Sequence, residues 1–216
     1  LAPTPLTERS RGDIANASRT PRERLGDLKA QEAANLTGVR RLKALLKLRR
    51  DDVADYNTAL LAFGRMQAQA LVESFPAGLF EAEEFIEDDG HGVSPAIRLR
   101  LERVEDCLEF DFSNTDQQTS SCLNAVKAVT TACVYYALKS MGGSRLPANE
   151  GVLQHVKIRT KAGTLCDASY PAAVSSGNVE TSQRIVDVIF ACLRLAFPTK
   201  VPAQSCGSMN NVILSG

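Results

Sequence analysis

Several things are missing from this sequence, and each absence excludes something. The six cysteines, at 107, 122, 133, 166, 192 and 206, form no CxxC pair and are accompanied by only two histidines. Neither a zinc site nor a disulfide frame is suggested by that spacing, and the thiols read as reduced, most of them small core residues. An excess of either charge is missing too: 25 Lys and Arg face 25 Asp and Glu, for a net charge of +0. Without a global basic field, nucleic acid is not an expected partner. No window approaches the roughly 18 unbroken apolar residues of a membrane span. Residues 1–13 also lack the apolar core of a signal peptide, so the expectation is no membrane and a cytoplasmic location. No internal repeat is visible.

What is present is ordinary globular composition, 44% hydrophobic and 23% charged over 216 residues. That length suits one large domain or two small ones. The chain starts at Leu1 rather than Met and stops at Gly216 directly after an apolar run, which leads us to expect a piece of a longer protein.

Residues 1–19 carry prolines and arginines with no apolar period and read as an irregular lead-in. Thr20-Pro21 with Glu23 is a helix start, and Leu25, Leu28, Leu36, Val39, Leu42 and Leu46 recur at helical spacing to about residue 50. Asp51-Asp52 opens a second helix that stops before Pro76, so residues 20–75 are expected to form an antiparallel helical hairpin. From 76 to 216 the pattern is mixed. Leu79 to Ile86 is extended, and 97–112 alternates apolar and charged residues as a β-hairpin with one wet face. Residues 123–141 read as an apolar helix, 152–160 as a strand, and 180–197 as a helix ended by Pro198. The class predicted is α+β, an antiparallel β-sheet with packed helices and an N-terminal helical hairpin.

Three polar segments could carry chemistry. In DFSNTD at 111–116 a strand ends in acceptors and hydroxyls, Asp111 and Ser113 among them, followed by Asn124. Such groups can hold a metal or orient a polar substrate, and they also build ordinary Asx turns. In SSGNVETSQR at 175–184 a small-residue loop enters a helix, where free backbone N–H groups and the helix dipole favour an anion; a capped helix with solvated side chains has the same residues. SCGSMNN at 205–211 offers side-chain amides that could match a substrate amide, or a plain polar turn. His91, His155 and Cys206 are weaker candidates, and the basic run from Arg40 to Arg50 is most simply a solvated or subunit-facing helix side.

These segments together resemble the B subunit of the ATP-dependent hydantoinase/5-oxoprolinase family. The blocks are collinear: TPRERLGDLKAQEAAN at 20–35, EDDG at 87–90, DFSNTD at 111–116, LNAVKAV at 123–129, NEG at 149–151, GNVETSQRIVDV at 177–188 and GSMNN at 207–211. The resemblance implies ATP-coupled opening of a cyclic amide such as 5-oxoproline or a hydantoin. In that scheme an actin-like A partner binds ATP with Mg2+ and phosphorylates the ring carbonyl, and the B part helps bind and open the activated ring. It carries Asp111, Glu180 and Arg184 over as catalytic positions, with Ser113, Asn124, Asn178, Gln183, Asn210 and Asn211 as substrate-binding or site-support positions. No metal ligand is assigned in this stretch; the family's metal-binding region precedes it. A related ketone carboxylase branch shares the blocks, and a non-catalytic assembly segment is the third reading. The chain departs from the family at Asn114 and Ser176, where glycine is usual, and at 122–126, which read CLNAV rather than NLNAP. A positive φ at either former glycine would suit Asn better than Ser.

Overall fold

The computed structural model describes residues 6–49, 52–88 and 90–209. The chain divides between Thr58 and Ala59 into two compact units.

The first unit is helical. Helix α1, Glu8–Asn16, starts where Thr7 Oγ1 accepts the Ser10 N–H at 3.1 Å. The lead-in is thus not irregular as the sequence suggested: a short cap-driven helix forms there without a long apolar stripe, because Ala15 alone is buried in it. Helix α2 spans Pro21–Leu48, with Pro21 at its first position, where a missing N–H costs nothing. Arg11 and Glu32 pair at 2.5 Å between α1 and α2. Leu36, Val39, Leu42 and Leu45 of α2 are exposed. Helix α3 runs Asp52–Glu73 and carries the chain into the second unit.

The second unit is built on one four-stranded sheet, ordered β1 (Leu79–Phe85), β2 (Ala96–Val104), β3 (Cys107–Asp111) and β4 (Val156–Arg159). The first three strands pair antiparallel, as their alternation predicts. β4 joins β3 in parallel, Leu108 opposite Val156, because the long connection through helix α4, Lys127–Gly142, returns the chain to the same end of the sheet. Sheet alternation then decides which side is dry. Ile97, Leu99, Leu101, Leu108 and Phe110 are at most 1% exposed. Onto that face packs helix α5, Ser182–Ala196, through Ile185, Val188, Ile189 and Leu193. Burying each such side chain contributes about 1.5–3 kcal/mol. The wet face carries cross-strand ion pairs, Glu81 with Arg100 at 3.0 Å and Glu109 with Arg159 at 2.5 Å.

Two helices begin later than the apolar pattern indicates. Residues 123–125 are laced rather than helical: Ala125 N–H donates to Leu165 O, and Ala168 N–H donates to Ala125 O. Residues 177–181 form a single π-turn ahead of α5. His155, expected in a strand, ends a 3₁₀ stretch at Glu150–His155 and is 4% exposed. The NEG block works as a clip, since Asn149 Nδ2 donates to Leu60 O at 2.9 Å and a Cβ on Gly151 would stand 2.1 Å from Leu61 O.

Candidate functional site

The π-turn and the first turn of α5 form the centre of the candidate site. Single π-turns are rare and frequent at functional sites, because they push side chains out of helical register. Here the turn is fixed from below. Ser176 N–H donates to Cys122 O, Thr181 Oγ1 donates to Leu123 O, and Gly177 lies so close to Asn124 O that a Cβ would sit 2.1 Å from it. The LNA and GNVETS blocks are therefore two strands of one knot. Asn124 is wholly buried within it, its Oδ1 accepting from Thr119 N–H and its Nδ2 donating to Thr119 O, Ser121 O and Ala173 O. With its amide committed to backbone, Asn124 holds the loop.

Above the knot, Glu180 and Arg184 share a cleft of 390 Å³ with Glu87, Asp88, Cys206, Gly207 and Ser208. Glu180 Oε1 accepts from Ser208 Oγ at 3.0 Å. Gly207 has φ +75, and a Cβ on it would stand 2.3 Å from Arg184 Cζ, so only glycine lets the guanidinium lie against the backbone there. Among the described residues the Arg184 guanidinium has no hydrogen-bond or ion-pair partner. A half-exposed, uncommitted cation beside a carboxylate is available to a ligand.

Asn178 and Gln183, from the same turn, line a second cleft of 590 Å³ between α4 and α5, walled by Val129, Tyr136 and Phe190. Two amides on an apolar wall can orient a ring by its own amide. Asp111 is not brought to either cleft. It lies on the wet face of the sheet with Glu81, Glu83, Arg98 and Arg100, and its Oδ1 accepts Ser113 N–H at 2.8 Å. Most of the DFSNTD block is a clasp: Arg98 N–H donates to Thr115 Oγ1, and Asp116 accepts Ala96 N–H and Arg98 Nη1. Asn210 and Asn211 lie outside the described residues. Neither departure position needs a left-handed backbone, since Ser176 has φ −92 and Glu105 is the one non-glycine residue with positive φ among those described.

Asp187 escaped the sequence reading. It is 1% exposed, and it accepts Ser205 N–H and Ser205 Oγ, each at 3.1 Å; Ser205 Oγ in turn accepts Gly207 N–H at 2.9 Å. A buried carboxylate on an otherwise apolar helix face was the available signal. It straps the 204–208 segment against α5 and so sets the floor under Arg184.

Three carboxylates, Glu87, Asp88 and Glu180, line the same cleft as the one guanidinium.

The family pattern described as Hydantoinase B/oxoprolinase matches residues 7–216, and the chain belongs to that family. It is 37% identical over 204 residues to an uncharacterized protein of Methanocaldococcus jannaschii, covering 94% of this chain and 36% of that one. It is 33% identical to the 5-oxoprolinase of Saccharomyces cerevisiae, covering 91% of this chain and 15% of that enzyme. Among solved structures it is similar to the ATP-dependent caprolactamase of Pseudomonas jessenii, with TM-score 0.73, 25% identity, and coverage of 87% of this chain and 34% of that one. An acetone carboxylase shares the fold at TM-score 0.61 and 12% identity, over 72% of this chain and 22% of that one. The chain thus spans about a third or less of these relatives. No helix among the described residues is long and apolar enough to cross a membrane.

Proposed function

We propose that this chain is part of the B component of an ATP-dependent cyclic amide hydrolase, acting on 5-oxoproline or a hydantoin together with an A-like, ATP-binding partner. The observation that carries the reading is the Arg184 guanidinium, without a partner among the described residues, lying over Gly207 in a cleft that Glu180 also lines and that is sized for a small ring. Relatives named 5-oxoprolinase and caprolactamase subunit beta support the reaction class.

An unactivated amide resists water, and ATP bound by the partner with Mg2+ supplies the activation by turning the ring oxygen into a phosphorylated leaving group. This chain's residues then bind and stabilise. Arg184 holds the negative charge that grows on oxygen as the ring opens. Glu180, fixed by Ser208, accepts a proton from the attacking water. Asn178 and Gln183 orient the ring from the neighbouring cleft. Asp111 and Ser113 secure the wet-face turn, and Asn124 secures the knot.

The test is ADP release by the natural-length protein with its A part, on addition of 5-oxoproline, a hydantoin, or acetone with bicarbonate. Stimulation by either ring supports the reading and names the substrate; stimulation by acetone alone moves the protein to the carboxylase branch. Arg184→Ala is expected to lower turnover by about tenfold or more while the protein stays folded, the scale of losing one charge-stabilising donor. Unchanged kinetics would remove the cleft from the active site.

A further inference from the structure

The larger of the two clefts holds more room and more apolar wall than the positioning of a small ring uses. Val129, Ala132 and Tyr136 recur along α4 at i, i+3 and i+7 and so share one face of the helix. Gln183, Val186 and Phe190 recur the same way along α5, and the Tyr136 and Phe190 rings stand 6.4 Å apart, centroid to centroid, tilted by 60°. The two faces line 590 Å³, within the range of about 300–1,000 Å³ that suits a drug-sized ligand. A bare five-membered ring leaves most of that volume unfilled. Resting on the cyclic amide reading above, we propose that this cleft is an apolar subsite that selects uncharged cyclic amides bearing a bulky apolar or aromatic group over rings that bear a carboxylate.

Charge supports the selection as much as shape. Asp187 is the one charged side chain on the described lining, and its two oxygens already accept the Ser205 N–H and Oγ–H at 3.1 Å. A carboxylate brought into the cleft finds no cation there among the described residues, the costly case for a desolvated anion. Arg184 is the one cation on the described lining of the smaller cleft. A ring carboxylate seated on Arg184 takes the donor that the developing oxyanion needs, so it gains binding at the expense of turnover. A neutral ring leaves Arg184 to the reaction. The polar groups of the larger cleft also suit a neutral amide. The Asn178 and Gln183 side chains are hydrogen-bonded to no other described residue, and each amide can donate to a ring carbonyl and accept a ring N–H.

The two clefts adjoin along the 205–209 segment. Ser205 and Met209 line the larger, and Cys206, Gly207 and Ser208 line the smaller. A ring whose apolar group fills the larger cleft therefore sits at the edge of the smaller one.

The experiment measures ring-dependent ADP release by the full-length protein with its A part, on 5-oxoproline, 5-methylhydantoin and 5-benzylhydantoin. The benzyl ring is expected to exceed the methyl ring in kcat/KM by about tenfold or more, and 5-oxoproline to rank last. Ala132 is exposed on α4, so Ala132→Phe can fill the cleft without entering the core. It should cut the benzyl-to-methyl ratio of kcat/KM by about tenfold at a wild-type thermal midpoint. Tyr136→Ala, which removes an aromatic wall, should lower the same ratio; a general loss of activity would leave that ratio unmoved. Activity that is highest on 5-oxoproline, or a ratio that neither variant changes, overturns the subsite and leaves the cyclic amide reading standing. Silence from every ring overturns that reading and the subsite with it.

Discussion

Arg98 and Arg184 carry the same charge and do opposite work. Arg98 is committed: it pairs with Glu83, donates from Nη1 to Asp116 Oδ1 at 2.5 Å and to Asn114 O at 3.2 Å. Partial burial pushes the Asp116 carboxyl up, but the Ala96 N–H and the Arg98 guanidinium outweigh it and hold the group below the usual carboxylate range. A depressed folded value means that the stabilisation is present above the unfolded carboxylate's pKa of about 3.9 and is lost as pH falls through the lower folded value. Asp116→Asn should therefore flatten the acid limb of the thermal midpoint plotted against pH; an unchanged limb would show that the clasp is not linked to protons. The thiols divide the same way. Burial drives Cys133, Cys166 and Cys192 up to about 12, whereas hydrogen bonds from Ser176 and then Ser175 lower exposed Cys122. Mass-mapped alkylation near pH 7 should mark Cys122 first and leave the three core thiols untouched, since the thiolate is the nucleophile. Labelling of Cys133 ahead of Cys122 would contradict this packing.

Elements read well from sequence where one period ruled. The β1, β2 and β3 strands and α5 follow apolar spacing that packing preserves, down to Leu99 at 1% exposure between two wet neighbours, whereas α2 and α3 form where the spacing predicts and leave Leu36, Val39, Leu42, Leu60 and Phe63 exposed. The reading failed where local hydrogen bonding beat periodicity: at α1, nucleated by Thr7; at 123–125, apolar yet laced to Leu165; and at β4, whose parallel partner is chosen by a long return. The π-turn is a case where one glycine-sized gap matters. In Gly177→Ala the new methyl meets backbone at Asn124, which cannot rotate away, so a loss of about 1–3 kcal/mol is expected in denaturant unfolding. A wild-type midpoint would mean that the knot relaxes. At the strap, Asp187→Asn keeps the shape but weakens the bonds to Ser205; proteolysis of the 204–208 segment should speed up while the protein stays folded, and unchanged cleavage would count against the strap.

For the whole molecule, the sequence brought Glu180 and Arg184 to one cleft and Asn178 and Gln183 to its neighbour, because all four share one turn. It could not place Asp111, which strand parity sends to the far face, nor find Asp187, whose partner Ser205 lies 18 positions away. Residues 1–216 alone are expected not to hydrolyse ATP, since the sequence has no GxxxxGK[ST] loop; phosphate release by the pure segment above a heat-treated control would refute the two-part scheme. The order of elements adds a last consequence. The sheet is complete at Arg159, but the helix that covers its dry face spans Ser182–Ala196. At a synthesis rate of about 5–20 residues per second, the ribosome presents an uncovered apolar sheet for seconds on every chain it makes. During that interval the nascent chain is a client for whichever chaperone waits at the tunnel exit.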